Sequence, residues 1–324
     1  MPISSDWELP LSAQPKPEDY SYDLDRALSA VVGVRSSVPE DAFTAQTLGT
    51  ERAGHGVVIR SNGLVLTIGY LITEAEAVWL HLADGRTLPG HALAYDQQTG
   101  FGLVQVLDRG ELPALALGNS GKSRLGDPGV IAGAGGRSRS VAAHIVAKQE
   151  FAGYWEYLLD EAIFTAPSHP NWGGTAVIAA SGDLIGIGSL QVQQASEGRP
   201  VYFNMIVPID LLKPILDDLL AHGRSIAPAR PWLGFYATEV QDKVVVAGLA
   251  AGAPARRAGL ATGDLLLAVA GDEVTSLAGL YRRIWSLGSA GVEVPLLVYR
   301  VGKTLQIKVS SGDRSRFLKV PHMH

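Results

Sequence analysis

The side chains best suited to chemistry lie in the stretch from Pro167 to Ser189, where Ser168 and His169 are adjacent. A hydroxyl, an imidazole and a carboxylate, for which Asp96 is the candidate, are the three groups of a nucleophilic hydrolase. These groups normally come from separate loops, because adjacent residues seldom direct a hydroxyl at a neighbouring imidazole. The elements that flank the stretch must therefore decide what it does.

The local pattern predicts two short strands joined by a tight turn. A turn at 170–174 precedes apolar residues 176–180, and Ser-Gly-Asp at 181–183 is a hairpin signal before a second apolar run. This layout resembles the nucleophile segment of HtrA/Deg-type serine proteases, which have the chymotrypsin fold and carry Gly-Asn-Ser-Gly-Gly before such a hairpin. At the nucleophile position this chain has Trp172, whose indole offers one N–H donor and no nucleophilic oxygen.

The resemblance also implies where the other two members of a catalytic triad would lie. A hairpin with an Asn-Gly turn at 62–63 leads to Tyr70, at the position where the family has its general-base histidine. In the segment that begins at Asp96, the position of the family's orienting aspartate is occupied by Gly100. Asp96 itself matches an aspartate that is not catalytic in the family. A tyrosine with the ordinary pKa of about 10 is a poor base at neutral pH.

A fourth change affects the oxyanion hole. The resembled proteases use the backbone N–H two residues before the nucleophile, and this chain has Pro170 there, which carries no N–H. Losing one such donor costs about 3–4 kcal/mol of transition-state stabilisation. We therefore expect a degenerate site, in which Trp172 either fills the former cleft or contacts a ligand together with Tyr70 and Trp155.

Composition narrows the classes of function. With 324 residues, 47% of them hydrophobic, the chain can bury large cores, and 37 glycines among short Val, Ile and Leu runs favour β structure. A net charge of −5 without a run of Lys or Arg argues against nucleic acid as a partner. Cysteine is absent and the histidines lack metal-site spacing, so we expect no cofactor and no metal.

Residues 1–24 are predicted to form an N-terminal arm. The arm carries Trp7, Tyr20 and Tyr22, and an aromatic arm of this kind often joins three subunits in the resembled proteases, which implies a homotrimer; a disordered tail is the alternative. The arm lacks the pattern of a secretory signal, and no run reaches the roughly 18 apolar residues of a membrane helix. The chain as it stands is expected in the cytoplasm, or in the periplasm if a signal has been removed.

A linker at 223–230 is predicted to lead into a second domain at 231–312. Trp-Leu-Gly-Phe at 232–235 and Gly-Ala-Pro-Ala at 252–255 resemble the PDZ domain appended to HtrA-type proteases. Pro254 suits the first turn of a short helix, and Gly259 suits its left-handed cap. Residues 275–287 have the spacing of an amphipathic helix. Residues 313–324 are predicted to form a C-terminal tail whose end at His324 is frayed.

The resemblance implies that this second domain binds peptides or protein C-termini. An extended C-terminus would add as a strand beside 235–239, with its carboxylate held by three backbone N–H groups. Arg230 would assist through its charge, and Leu280 and Ile284 would line the pocket for an apolar terminal side chain. A groove blocked by its own chain is the alternative. The predicted peptide contacts are Arg230, Trp232, Leu233, Gly234, Phe235, Leu280 and Ile284.

The sequence thus predicts a mainly β protein, with a chymotrypsin-like double β-barrel at 25–222 followed by a PDZ-like domain. Within the barrels, residues 28–35 are expected to form the first strand and residues 211–222 a closing helix with Pro214 in its first turn. The leading hypothesis for function is a catalytically inactive HtrA-like protein that acts as a scaffold, regulator or holdase. The alternatives are an HtrA-type serine endopeptidase with a rearranged site and an inactive partner of an active protease paralogue.

Overall fold

The computed structural model of the protein describes residues 8–108, 110–196 and 198–319. The described chain forms two compact units. The first contains the chain up to Gln149 and from Glu161 to Ile226, and the second contains Glu150–Asp160 together with Ala227–Lys319. The short segment 150–160 therefore belongs to the second unit, although it lies between residues of the first in sequence.

Six strands of the described chain close into a first barrel in the order β1-β2-β3-β6-β5-β4. Their alternating apolar side chains form its interior, where Val31, Leu66 and Leu103 are fully buried. The elements are α1 (Leu24–Ser29), β1 (Val31–Ser37), α2 (Ala45–Leu48), β2 (Glu51–Arg60), β3 (Leu64–Ile68), a 3-10 turn (Gly69–Leu71), β4 (Ala77–His81), β5 (Thr87–Tyr95) and β6 (Phe101–Val106).

A second barrel of six described strands has the order β10-β11-β12-β9-β8-β7. Its core contains Ile131, Ile163 and Ile206. The elements are 3-10 turns at Ser120–Lys122 and Arg137–Arg139, β7 (Pro128–Ala132), β8 (Ser140–Gly153), β9 (Tyr157–Ala166), β10 (Ala176–Ala179), β11 (Leu184–Ser196), β12 (Arg199–Pro208), a 3-10 turn (Ile209–Leu211) and α3 (Leu216–His222).

The second unit is built on a sheet in the order β13-β14-β15-β17-β18, with β16 paired to β15. Two helices cover its apolar face, and Leu158 of the segment 150–160 is buried in the same core cluster as Leu280 and Ile284. The elements are β13 (Phe235–Val240), β14 (Lys243–Leu249), α4 (Pro254–Arg257), β15 (Leu265–Val269), β16 (Asp272–Glu273), α5 (Leu277–Ser286), β17 (Glu293–Arg300), β18 (Lys303–Ser310) and a 3-10 turn (Arg314–Phe317).

The architecture confirms the predicted fold class, a mainly β double barrel followed by a PDZ-like sheet. Two elements differ from expectation. Residues 28 and 29 end a helix, because the Asp23 side chain accepts the Arg26 N–H at 3.0 Å and begins α1 there. The closing helix is also shorter than predicted, since a 3-10 turn at Ile209–Leu211 precedes Pro214 and α3 begins only at Leu216.

The two chain termini were predicted as an arm and a frayed tail. In the described part of the arm, the Leu9 N–H donates to Ser138 O at 2.9 Å, and the Tyr22 ring lies against Gly182 of the same chain. Trp7 lies outside the described residues. In the predicted tail, residues 314–317 form a 3-10 turn whose Phe317 ring lies 4.7 Å from that of Trp232, and the end at His324 lies outside the described residues. The predicted domain boundaries themselves stay predictions.

Candidate functional site

The structure brings together Tyr70 and Trp172, the residues that the sequence assigned to the base and nucleophile positions. The Tyr70 hydroxyl donates to Ser189 O at 2.8 Å, and a side-chain hydrogen bond joins Tyr70 to Trp172. Burial raises the pKa of Tyr70 above its ordinary value, and the bond with Trp172 opposes that shift. The pair is thus a neutral phenol beside a neutral indole. Trp172 is half-buried, so both of its predicted roles stay open.

Hydrogen bonds and close packing restrict the backbone conformation of the turn around Trp172. The Gly173 carbonyl accepts the His55 N–H at 2.8 Å, and the Gly174 N–H donates to Gly188 O at 2.8 Å. Gly174 has φ +79°, and a Cβ there would lie 1.9 Å from His55 O. A Cβ on Gly173 would lie 2.7 Å from the Tyr70 hydroxyl oxygen. Both glycines are therefore required by the packing of this turn.

Gly100, at the position that the sequence assigned to the orienting aspartate, has only backbone groups to offer. Its N–H donates to Asp96 O at 2.8 Å, and its carbonyl accepts the Gly69 N–H at 2.7 Å. Gly100 has φ +83°, a conformation that favours glycine. The Asp96 carboxylate accepts the N–H and the hydroxyl of Thr99, each at 2.7 Å, and so caps its own loop.

Ser168, His169 and Asp96, the residues of the rearranged triad, bond to different partners. Buried His169 donates from Nε2 to Arg139 O at 2.9 Å and accepts the Asn171 N–H at Nδ1 at 3.1 Å. Both ring nitrogens are thereby occupied, and burial lowers the pKa of the imidazole. The Ser168 hydroxyl accepts from Gln191 Nε2 at 3.3 Å. This arrangement leaves His169 no free nitrogen with which to deprotonate a hydroxyl.

A carboxylate is bound in the second unit by three consecutive backbone N–H groups, those of Leu233, Gly234 and Phe235, which we call the cradle. The acceptor is Glu156: the Leu233 N–H donates to Oε2 at 3.0 Å, and the N–H groups of Gly234 and Phe235 donate to Oε1 at 2.6 and 3.3 Å. Gly234 has φ +77°, which lets three successive N–H groups converge. Glu156 is only 6% exposed.

The residues around Glu156 occupy the surface between β13 and α5, which we call the groove. We call residues Gly153–Tyr157 the tip. The Ala237 N–H of β13 donates to Tyr154 O at 2.9 Å, and the Tyr154 and Tyr236 rings lie 5.9 Å apart. From α5, the Tyr281 hydroxyl donates to Gly153 O at 2.8 Å and accepts the Glu156 N–H at 3.2 Å. The groove in the described structure is therefore occupied by the tip.

The electrostatics of the bound carboxylate reflect two opposing effects. Burial raises the pKa of Glu156 to about 7, while its three N–H partners and the charge of Arg314 lower it. Glu156 also has φ +59°, which is uncommon for a residue with a side chain. Such a conformation persists only where the surrounding contacts hold it, and here those contacts are the cradle and Tyr281.

Comparisons with known proteins agree with this architecture. The trypsin-like peptidase domain family matches residues 54–187, and the PDZ domain family matches residues 231–310. The chain is 28% identical over 319 residues to the periplasmic pH-dependent serine endoprotease DegQ of Escherichia coli, covering 89% of this chain and 69% of DegQ. It is 28% identical over 273 residues to a probable periplasmic serine endoprotease, DegP-like, of Halomonas elongata, covering 80% of this chain and 56% of that relative.

The chain therefore combines a trypsin-like peptidase domain with a PDZ domain, as the HtrA-type serine proteases that it resembles do. The same fold is found in the structure of the HtrA-type protease AlgW with tripeptide, at a TM-score of 0.53 and 22% identity, over 95% of this chain and 99% of that one. Since this chain spans 69% and 56% of the two curated relatives, its activity and partners do not follow from theirs. No helix in the described ranges is long and apolar enough to cross a membrane.

The predicted groove residues of this HtrA-type protein fall into three groups. Leu233, Gly234 and Phe235 form the cradle. Leu280 and Ile284 are fully buried in the cluster that contains Leu158, so their role as peptide contacts stays a prediction. The residue of α5 with polar contacts to the tip is Tyr281, which the sequence interpretation missed because a helical repeat cannot separate groove-facing from core-facing apolar positions.

Two further predicted contacts have other roles. The Trp232 N–H donates to Gly312 O at 3.0 Å, so this residue braces the start of the domain. The Arg230 guanidinium lies over the Trp285 ring, with Cζ 4.3 Å from the centroid. The charge that lowers the pKa of Glu156 belongs to Arg314, and assistance of a peptide carboxylate by Arg230 stays a prediction.

Proposed function

We propose that this HtrA-type protein is a catalytically inactive relative of the proteases and binds peptides or protein C-termini through its groove, as a scaffold, regulator or holdase. The observation that carries the proposal is the cradle, in which three N–H groups hold a carboxylate in a buried site. A C-terminal carboxylate presents the same two oxygens, and an extended chain adds to an exposed strand in the same direction as the tip.

The residues in the cleft of the barrels support the proposed lack of catalytic activity. A nucleophile must be activated by a base, and the Tyr70 phenol beside the Trp172 indole supplies neither group near neutral pH. Pro170 has no N–H to donate to an oxyanion. The alternative site at Ser168 lacks a base, because both nitrogens of His169 are occupied.

The proposed lack of catalytic activity is tested with a fluorophosphonate probe and with casein as substrate, using Escherichia coli DegQ as the active control. We expect no labelling of the folded protein and no casein hydrolysis, because no hydroxyl is paired with a free base. Labelling that disappears in Ser168→Ala would instead establish the rearranged endopeptidase.

The binding half is tested with one fluorescein-labelled peptide prepared with a free C-terminus and with a C-terminal amide. The free form should bind at least tenfold more tightly, since the amide places N–H donors against the N–H donors of the cradle. Equal affinity of the free-acid and amide peptides would show that the cradle does not recognise the carboxylate. The solved AlgW complexes with a tripeptide and a decapeptide concern that protein and motivate the choice of short peptides here.

Assembly and compartment also belong to the proposal. The resemblance supports a homotrimer through the arm, an inactive protein could join an active protease paralogue in a mixed assembly, and the periplasmic relatives support the periplasm. Light scattering measures the subunit number, co-purification with mass spectrometry identifies a paralogue, and cell fractionation locates the protein. A monomer without a co-purifying protease would remove both assemblies.

A further inference from the structure

We propose that a cavity on the outer side of the first barrel, which we call the Gly33 cavity, binds a small phosphate monoester between the side chains of Arg35 and Arg139. This inference is independent of the groove and of the proposed peptide binding, because every residue that lines the cavity belongs to the first unit. Its basis is the shape of the cavity floor, the charge of the lining and the volume enclosed.

The floor of the Gly33 cavity is a row of three residues on neighbouring strands. Gly33 of β1 pairs with His55 of β2 on one side and with His81 of β4 on the other. Residues paired in this way point to the same side of a sheet, so the two imidazoles flank a position that has no side chain. A Cβ on Gly33 would lie 3.4 Å from His81 Cβ and 3.8 Å from Ala134 Cβ. The glycine therefore leaves a notch between its neighbours.

The turn that follows β7 forms another wall of the cavity. Ala134, Gly135 and Arg139 line the cavity from this turn. The Ala134 N–H donates to Nδ1 of His55 at 3.0 Å, and this bond fixes the turn to the floor. Gly135 has φ +120°, a conformation that favours glycine. The shape of the cavity is thus determined by hydrogen bonds and backbone conformation within the first unit.

The ionisable side chains that line the cavity in the described chain are all basic: Arg35, Arg139, His55 and His81. Burial, the neighbouring His169 ring and the charge of Arg139 lower the pKa of His55 to about 3. Burial and the charge of Arg35 lower the pKa of His81. Both imidazoles are therefore neutral near pH 7, and two guanidinium charges remain. Two positive charges beside one cavity attract an anion.

Neighbouring polar groups leave room for that anion. Ala83 and Gly85 line the cavity, whereas the carboxylate of Asp84 lies 2.8 Å from Arg86 Nε and is engaged there. His81 Nδ1 lies 2.9 Å from Thr87 Oγ1, and the buried Nε2 of the same ring has no hydrogen-bond partner among the described residues. Buried polar atoms ordinarily have a partner, and an oxygen of a bound anion would supply one.

The volume and the remaining lining indicate the class of ligand. The cavity encloses about 290 Å³, and its other side chains include the apolar Val34 and Leu82. Since a water molecule takes about 30 Å³ in the liquid, the space admits a ligand larger than inorganic phosphate. A phosphate monoester carries about 1.5 to 2 negative charges at pH 7 and balances both arginines, whereas a carboxylate balances only one. We therefore expect a phosphate group joined to a small apolar body.

The test titrates the full chain with phenyl phosphate, and benzoate is the carboxylate with the same ring. Arg35→Gln and Arg139→Gln each remove one cation from the lining. Arg124→Gln is the matched control, because Arg124 is exposed and lies outside the lining. Gly33→Ala narrows the floor at ordinary contact distances, so it tests the shape of the cavity without changing its charge.

Calorimetry should show that phenyl phosphate binds about tenfold more tightly than benzoate, and about tenfold more weakly to each of Arg35→Gln and Arg139→Gln than to the wild type. Arg124→Gln should stay within about twofold, since exposed charges outside the site are screened. Gly33→Ala should weaken binding about fivefold through the lost space. Equal affinity of the wild type and both arginine variants would overturn the site, and equal affinity for benzoate would overturn the phosphate class.

A second measurement locates the ligand. In protein with ¹³C-labelled histidine, His81→Gln assigns the His81 signal, and saturating phenyl phosphate should raise the pKa of His81 because a bound anion opposes the charge of Arg35. The signal of His144, exposed on β8, should not respond. No shift of the His81 signal at roughly 10 mM phenyl phosphate, where even millimolar affinity gives near-saturation, would overturn the proposal.

Discussion

The cleft between the two barrels and the groove of the second unit depend on different parts of the polypeptide. Catalysis in the cleft would require particular side chains, and the sequence interpretation assigns those positions to Tyr70, Gly100 and Trp172. Carboxylate binding in the groove requires only three N–H groups and the backbone conformation at Gly234. A site made of side chains is lost by single substitutions, whereas a site made of backbone groups persists as long as the local conformation does.

The two regions also differ in how they satisfy their polar groups. In the cleft, the Tyr70 hydroxyl and the ring nitrogens of His169 bond to neighbours in the first unit. In the cradle, the acceptor is a carboxylate from a segment 77 residues earlier in the chain. An acceptor that is not part of the loop itself can be exchanged for another, which is why the groove and not the cleft carries the proposed function.

The largest expected effect comes from changing the backbone of the cradle. Gly234→Ala places a Cβ 2.3 Å from that of Ala253 at φ +77°, and we expect a loss of about 3 kcal/mol in the stability of the second unit. Gly252→Ala is the matched control, because it has φ +65° with open space around it and should cost about 1 kcal/mol. Urea unfolding followed by hydrogen exchange of β13 and β14 measures both. Equal costs would contradict the steric account of the cradle.

The next effect is a pH dependence of tip docking. Burial raises the pKa of Glu156 to about 7 despite the three N–H groups and Arg314, and the Tyr281 hydroxyl faces the same residue. The docked tip therefore binds more protons than the free tip, so docking is strongest below the ordinary carboxyl pKa and weakens as pH rises through about 7. Between pH 5 and 8 the opening free energy of the tip should fall by about 2–3 kcal/mol.

Hydrogen exchange at several pH values, corrected for intrinsic rates, measures that opening free energy. Glu156→Gln carries no titrating group at this position and should remove most of the dependence. A docking strength that rises with pH in the wild type would mean that the N–H groups outweigh burial, which would contradict the raised pKa of Glu156.

A smaller effect is expected from the contact of α5 with the tip. Tyr281→Phe removes the hydrogen bonds to the Gly153 carbonyl and the Glu156 N–H, and we expect docking to weaken by about 1–2 kcal/mol. Tyr299→Phe, at an exposed position on β17, is the control and should have no effect. The hydrogen-exchange rate of the fragment 150–160 distinguishes the two variants. Equal rates in both variants would show that Tyr281 does not hold the tip.

The smallest effect is expected in the cleft. Tyr70→Phe removes the bond to Ser189 O and should cost about 1 kcal/mol in the first unit without changing peptide affinity. Tyr202→Phe, exposed on β12, is the control for stability. A change of peptide affinity in Tyr70→Phe would show that the cleft takes part in binding.

The sequence predicted the parts of the molecule that local chemistry determines. The Asn-Gly turn at 62–63 joins β2 to β3, Pro254 begins α4, and Gly259 has the left-handed conformation expected after that helix. The N–H groups of Leu233 to Phe235 bind a carboxylate, that of Glu156, because the motif itself determines the loop, and their binding of a peptide C-terminus stays a prediction. These features depend only on residues that are close together in the sequence.

The occupant of the groove could not be predicted in this way. Glu156 is one of 32 acidic residues, and its partners are separated from it by 77 to 79 residues along the chain. The left-handed conformation of Glu156 also has no sequence signal. Long-range pairing of this kind appears only when the tertiary structure is known.

The most direct test of the account follows the Gly234 amide by NMR while a free-carboxylate peptide is added. The account predicts that the Gly234 signal shifts in proportion to binding, and that amides of residues 153–157 lose protection to the same extent. A peptide that binds while the tip keeps its protection and Gly234 stays unshifted would contradict the claim that both ligands share one cradle.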